Sequence, residues 1–203
     1  MKNLNTYINE KLTIMHNSYS YVPETKEELK RIIEKRLADD SDPNLNDIDV
    51  SNIIDMSYLF YGLNPRSIDI SKWNVSNVTN MSYMFYGGNK FNSDLSKWDV
   101  SKVKDMNNMF AYCKNFESDL SGWDVSNVKN MYCMFEYCQN FNSDLNSWDV
   151  SNVKNMSGLF YNCTQFNSDL SSWDVSNVKD MNGMFWGCDS LKKIPEWFTK
   201  NRK

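Results

Sequence analysis

At 203 residues and net charge −4, the chain has the length of one domain and no basic surplus to draw nucleic acid or an anionic membrane. Aromatic residues make up 14%, which excludes disorder because there is ample apolar surface to bury. No run approaches the roughly 20 apolar residues that span a bilayer, and the start, Met1 to Glu10, lacks the apolar segment of a secretory signal. A soluble chain with no export address, anchor or membrane insertion is expected.

Residues 1–22 admit two readings, since Tyr7-Ile-Asn-Glu-Lys-Leu-Thr-Ile suits a short strand or a helical turn, and Pro23 closes the segment. Thr25-Lys-Glu-Glu28 then matches a capping box, in which the Thr hydroxyl accepts from the third helical amide and Glu28 reaches back. Leu29, Ile32, Ile33 and Leu37 come next at helical spacing, so an amphipathic helix is predicted over 26–38. Asp39 to Asn44 ends it with turn formers. Its expected duty is to cover the apolar end of the repeats downstream; partner binding is the alternative. The segment 1–45 is therefore read as an N-terminal cap.

Trp73, Trp98, Trp123, Trp148 and Trp173 recur every 25 residues without insertion, and Ile48 takes the same place one period earlier. A fixed period of this length means a stack of like units, each burying its apolar face on its neighbours. Within one unit Leu95, Trp98 and Val100 fit the spacing LxxLxL, and the Trp–Val alternation suits a short inward-facing strand. Asp105 has the character of a helix N-cap, and Met106, Met109 and Phe110 stand after it at helical spacing, which predicts a helix of about two turns per coil. The Met columns are read as core filler rather than metal or redox ligands. The Trp column is read as core rather than as a stacking platform for bases or sugars. The fold class expected is α/β: a right-handed, leucine-rich-repeat-like solenoid of six strand–helix coils over 46–190, with part of a seventh, and a C-terminal cap at 191–203, where Pro195 replaces Leu and suits an edge.

The string Phe141-Asn-Ser-Asp-Leu-Asn-Ser-Trp148-Asp-Val-Ser-Asn-Val-Lys-Asn-Met156, with Thr25-Lys-Glu-Glu-Leu and Asn46-Asp-Ile-Asp-Val-Ser-Asn-Ile upstream, resembles the repeat of BspA-like leucine-rich-repeat surface proteins, also found in mycoplasma-type surface lipoproteins. The resemblance covers about residues 23–190. It implies a leucine-rich-repeat-like solenoid, a cell-surface or secreted location and, in some members, adhesion to host proteins or other cells. The chain departs from the surface members in showing no signal peptide or anchor.

Cys113, Cys138, Cys163 and Cys188 share one repeat position and Cys133 stands apart. Neighbours in such a column lie roughly 5 Å apart, within reach of a disulfide, but parallel side chains need not meet its dihedral. They are read as buried thiols acting as small hydrophobes. No CxxC pair exists and His16 is the only histidine, so no metal and no cofactor is expected. Two acidic columns, at Asp49 to Asp174 and Asp69 to Asp169, are read as turn residues bonding nearby amides, with calcium as the alternative. Lys104, Lys129, Lys154 and Lys179 form a basic stripe that balances them, with weak pull on nucleic acid.

Catalysis finds no foothold: the seven glycines are scattered, and a regular ladder offers no differentiated pocket, so no catalytic residue is expected. On the predicted helix, Ser82, Tyr83, Tyr86 and Gly87 face outward. Tyr58, Tyr61, Tyr112, Tyr132, Tyr137, Tyr161 and Trp186 hold matching positions. Exposed Tyr and Trp are over-represented in binding hot spots. These nine are the candidate contact residues; the alternative is that their rings lie flat and seal the Met/Phe layer. The expected function is a non-catalytic protein-interaction module of adhesin or host-contact type, monomeric or weakly oligomeric, with a protein partner. A structural or assembly component of a phage or secreted particle is the alternative.

Overall fold

The computed structural model describes residues 19–40, 43–63 and 68–200. The expectations for residues 1–18, including His16 and the Tyr7 segment, lie outside them.

The α/β expectation is overturned. The described residues hold two helices and no strand or sheet: α1 spans Lys26–Asp39 and α2 spans Glu196–Lys200. Neither lies in a repeat, so the coils are not strand–helix coils and the leucine-rich-repeat solenoid is not what forms. Each coil is instead a run of turns, joined to the next by one isolated parallel bridge at the Asx column, Asp55↔Asn80↔Asp105↔Asn130↔Asn155↔Asp180.

Two local facts defeat the predicted helix. Two positions per coil, four residues apart, have left-handed backbone. One is Tyr58, Tyr83, Asn108, Cys133, Gly158 and Gly183; the other is Gly62, Gly87, Tyr112, Tyr137, Asn162 and Gly187. An L-residue helix cannot pass through such a residue. Alternate amides also leave the coil altogether. Met106, Asn108, Phe110 and Tyr112 donate to the carbonyls of Asn130, Tyr132, Met134 and Glu136 in the next coil, at 2.7–3.0 Å. Of the amides between them, Met109 and Ala111 close four-residue turns on the carbonyls of Met106 and Asn108, both at 3.2 Å. The Met106, Met109, Phe110 spacing reports inward side chains on a turn ribbon, and a helix would place them similarly. The predicted N-cap Asp105 makes an Asx turn instead, its Oδ1 accepting from the Asn107 amide at 3.0 Å.

The predicted strand fails for a related reason. At Leu95, Trp98 and Val100 the bonds between coils run through side chains. The Leu95 amide donates to Ser118 Oγ at 2.9 Å. Trp123 Nε1 donates to the Leu95 carbonyl at 3.0 Å. Asn127 Nδ2 donates to the Ser101 carbonyl at 2.8 Å. Turns close from Trp98 to Leu95 and from Val103 to Val100, so no backbone ladder is left to form.

The inward columns form one continuous core from Leu29 to Phe198. Phe60, Phe85, Phe110, Phe135, Phe160 and Phe185 stack in series at 5.3–5.9 Å. The indoles of Trp73 to Trp173 are buried. Each donates to a carbonyl 28 residues earlier, which satisfies its one polar group within the core.

Both ends are closed by a helix. Helix α1 buries Leu29 and Ile33 and is capped by Thr25, whose side chain accepts from the Glu28 amide, while Glu28 accepts from the Glu24 amide at 3.0 Å. Lys26 pairs with Asp55 at 2.8 Å, and Arg36 grips Asp47 with one nitrogen at 3.1 and 3.2 Å. At the far end Pro195 precedes α2. Trp197 stacks on Trp173 and donates to the Leu170 carbonyl, 27 residues back rather than 28.

Candidate functional site: an aromatic ridge

The ribbon of turns fixes where the predicted contact residues stand. Eight of the nine join in one chain of ring contacts running along the molecule. Tyr58 and Tyr83 stack at 4.7 Å, and Tyr61 and Tyr86 at 5.3 Å, forming a double row over the first two coils. Tyr86 meets Tyr112 at 5.4 Å, Tyr112 stacks on Tyr137 at 4.8 Å, Tyr137 meets Tyr161 at 5.7 Å, and Tyr161 stacks on Trp186 at 6.5 Å. Tyr132 stands off this chain, exposed beside Cys133. Ser82, placed outward by the helical phase, is buried instead. Asn108 and Cys133, which share the left-handed position of Tyr83, are buried too.

One signal in the sequence escapes a helical reading. At two successive positions the coils read Tyr61-Gly62, Tyr86-Gly87, Ala111-Tyr112, Glu136-Tyr137, Tyr161-Asn162 and Trp186-Gly187. Each coil supplies one ring from one position or the other, never both. The ridge is therefore continuous although neither column is. Tyr58, Tyr83, Tyr112 and Tyr137 sit at left-handed φ of 57–65°. That conformation costs a non-glycine residue roughly 1–2 kcal/mol. Each of their amides is held by a carbonyl of the next coil, at 2.7–3.0 Å.

Where neighbouring rings stack, their faces are covered and their edges and hydroxyls are left outward. Tyr58, Tyr61 and Trp186 are the most open members, with Trp186 at 68% exposure. Partial burial pushes the Tyr83, Tyr86 and Tyr112 phenols up, and their neighbours' charges add to this. These three phenols are therefore neutral hydrogen-bonding groups at ordinary pH.

The other candidate chemistries resolve locally. All five cysteines are free. Cys113, Cys138, Cys163 and Cys188 donate to the carbonyls of Phe85, Phe110, Phe135 and Phe160 at 2.9–3.0 Å, so they act as donors between coils as well as filling space. Burial pushes Cys133 and Cys188 up to about 12 and the other three well above the usual thiol range, so none is a ready nucleophile. The acidic columns bond backbone: Asp94 and Asp99 accept from the amides of Ser96 and Ser101 at 2.9 and 3.0 Å. Among the described residues no three His, Cys, Asp or Glu side chains gather closely enough to hold a metal ion. No described helix is long and apolar enough to cross a membrane.

Residues 27–136 and 113–203 each match the model of a family described as Mycoplasma protein of unknown function, DUF285. No curated protein matches the chain. No solved structure matches it. With the family model covering nearly the whole repeat array, the chain belongs to the DUF285 family.

Proposed function

We propose that the protein is a non-catalytic interaction module that engages a protein partner along the aromatic ridge. The single observation carrying this reading is the unbroken row of rings from Tyr58 to Trp186, kept at one ring or more per coil by alternating columns. Half-buried Tyr and exposed Trp offer apolar area and a polar tip at little entropic cost, which is the character of interface hot spots. Covered faces and outward edges suit a polypeptide surface better than a sugar, which needs an open ring face. The likeness of the repeat to BspA-like surface proteins favours an adhesin-like, host-contact role.

The test is the triple substitution Tyr86→Ser, Tyr112→Ser and Tyr137→Ser, with labelled protein bound to host cells. The rings are only half-buried, so near-UV circular dichroism of the buried indoles should be unchanged. Loss of three hot-spot rings should weaken binding by at least about tenfold. Undiminished binding by the folded variant would remove the ridge from the function.

A further inference from the structure

The last coil lacks the partner that every other coil has. In the coil before it, the amides of Met156, Gly158, Phe160 and Asn162 donate to the carbonyls of Asp180, Asn182, Met184 and Trp186 at 2.7–3.0 Å. The matching amides of the last coil, at Met181, Gly183, Phe185 and Gly187, have no acceptor among the described residues. Helix α2 closes the apolar end through Trp197 and Phe198 but leaves this edge open. Between edge and helix runs a groove of about 310 Å³, lined by Gly183, Phe185 and Trp186 on one side and Ile194, Phe198 and Thr199 on the other. Trp186 and Ile194 at its rim are exposed.

The opposite end is partly covered. The first coil's carbonyls at Asp55, Ser57, Leu59 and Tyr61 have no amide donor among the described residues, but Ser57 and Leu59 are buried and Lys26 of α1 lies on Asp55 and Ser57. The molecule therefore presents an open row of donors at one end and a row of acceptors, two of the four in buried residues, at the other. Two copies cannot join through the same open edge, since both would offer only N–H.

We propose that the open edge docks a segment of a partner polypeptide. The segment supplies carbonyls at alternate residues and an apolar side chain to the groove. The interior coils define its chemistry. There the same four amides are taken by carbonyls of an Asx-Met-x-x-Met/Leu-Phe stretch, whose own amides either close onto its Asx side chain and turns or point away to the following coil. A segment of that kind is acceptor-rich on the facing side, which is what a donor-only edge requires.

The test uses the whole chain and a synthetic end-capped peptide of residues 155–163, Asn155 to Cys163. In the free chain, amides 181, 183, 185 and 187 should exchange with solvent at least about 100-fold faster than 156, 158, 160 and 162. The peptide should slow those four, and a scrambled peptide should not. Ile194→Asp, at an exposed position, should weaken docking at least about tenfold with circular dichroism unchanged, while the Tyr86, Tyr112 and Tyr137 variant should dock the peptide normally. Edge amides already protected in the free chain would overturn the proposal. So would no selective slowing, or protection that grows with protein concentration alone, which would make a second copy the occupant. The ridge reading stands or falls separately, because Ile194 is not part of it.

Discussion

Tyr58, Tyr83, Asn108 and Cys133 adopt a backbone that glycine adopts freely, and Gly158 and Gly183 fill the same position in the last two coils. The column accepts Tyr, Asn and Cys at a backbone cost that glycine avoids. At Gly158 a Cβ would meet Cys133 Sγ at 2.6 Å, in a residue with φ +65°. Gly158→Ala should therefore destabilise by about 1–2 kcal/mol from the backbone alone, with the contact adding to it. Urea denaturation checks this, and Cys133→Ala in the same chain should recover only the contact part. Five of the seven glycines fall on the two left-handed columns, so they are not scattered. Aligned by the tryptophan period, they argue against a helix. Tyrosine and asparagine share the columns and disguise them. The candidate rings themselves are legible, because Tyr and Trp stand out from polar neighbours. Tyr132 is exposed as its outward position predicts but lies off the row of ring contacts, on a ribbon that turns differently from a helix.

The coil is a closed run of turns, and its Asp columns hold those turns. The hydroxyl and amide of a serine two residues on hold Asp69, Asp94, Asp99, Asp119 and Asp149 below the usual carboxylate value of 3.8. Because the folded values are depressed, the contribution is complete above about 3.8 and is lost as pH falls through the folded values. The urea midpoint should be flat from neutral pH down to about 5 and should fall steadily below about 4. A midpoint independent of pH in that range would mean that the carboxylates do not bond the amides in solution. The turn role of Asp is readable from composition at bends. Strand and helix are not separable from turns, since Trp–Val alternation and Met–Met–Phe spacing report only which side chains point inward. The N-terminal helix is legible almost to the residue, 26–38 expected against Lys26–Asp39, because its capping box and apolar stripe are local signals.

At the scale of the molecule, the period is the most legible feature, and the bonding between coils is the least. An exact repeat announces stacking, but whether the stack is joined by ladders or by alternate amides and side chains depends on contacts 23 to 28 residues apart, which no local pattern encodes. Pro195 signals the C-terminal cap, yet α2 closes only the apolar end.

The indole bonds reach back a constant 28 residues, from Trp73 to Leu45 through Trp173 to Leu145. Nearly all cohesion is thus confined to adjacent layers, and none ties the first layer to the last. Pulled by its two termini, such a molecule should not rupture at one force. It should unravel from an end in equal increments, each releasing the 25 residues of one layer, or about 85 Å of extended chain. A force–extension trace from optical tweezers would show this as a sawtooth of evenly spaced teeth. A single large rip would mean that the layers are mechanically fused.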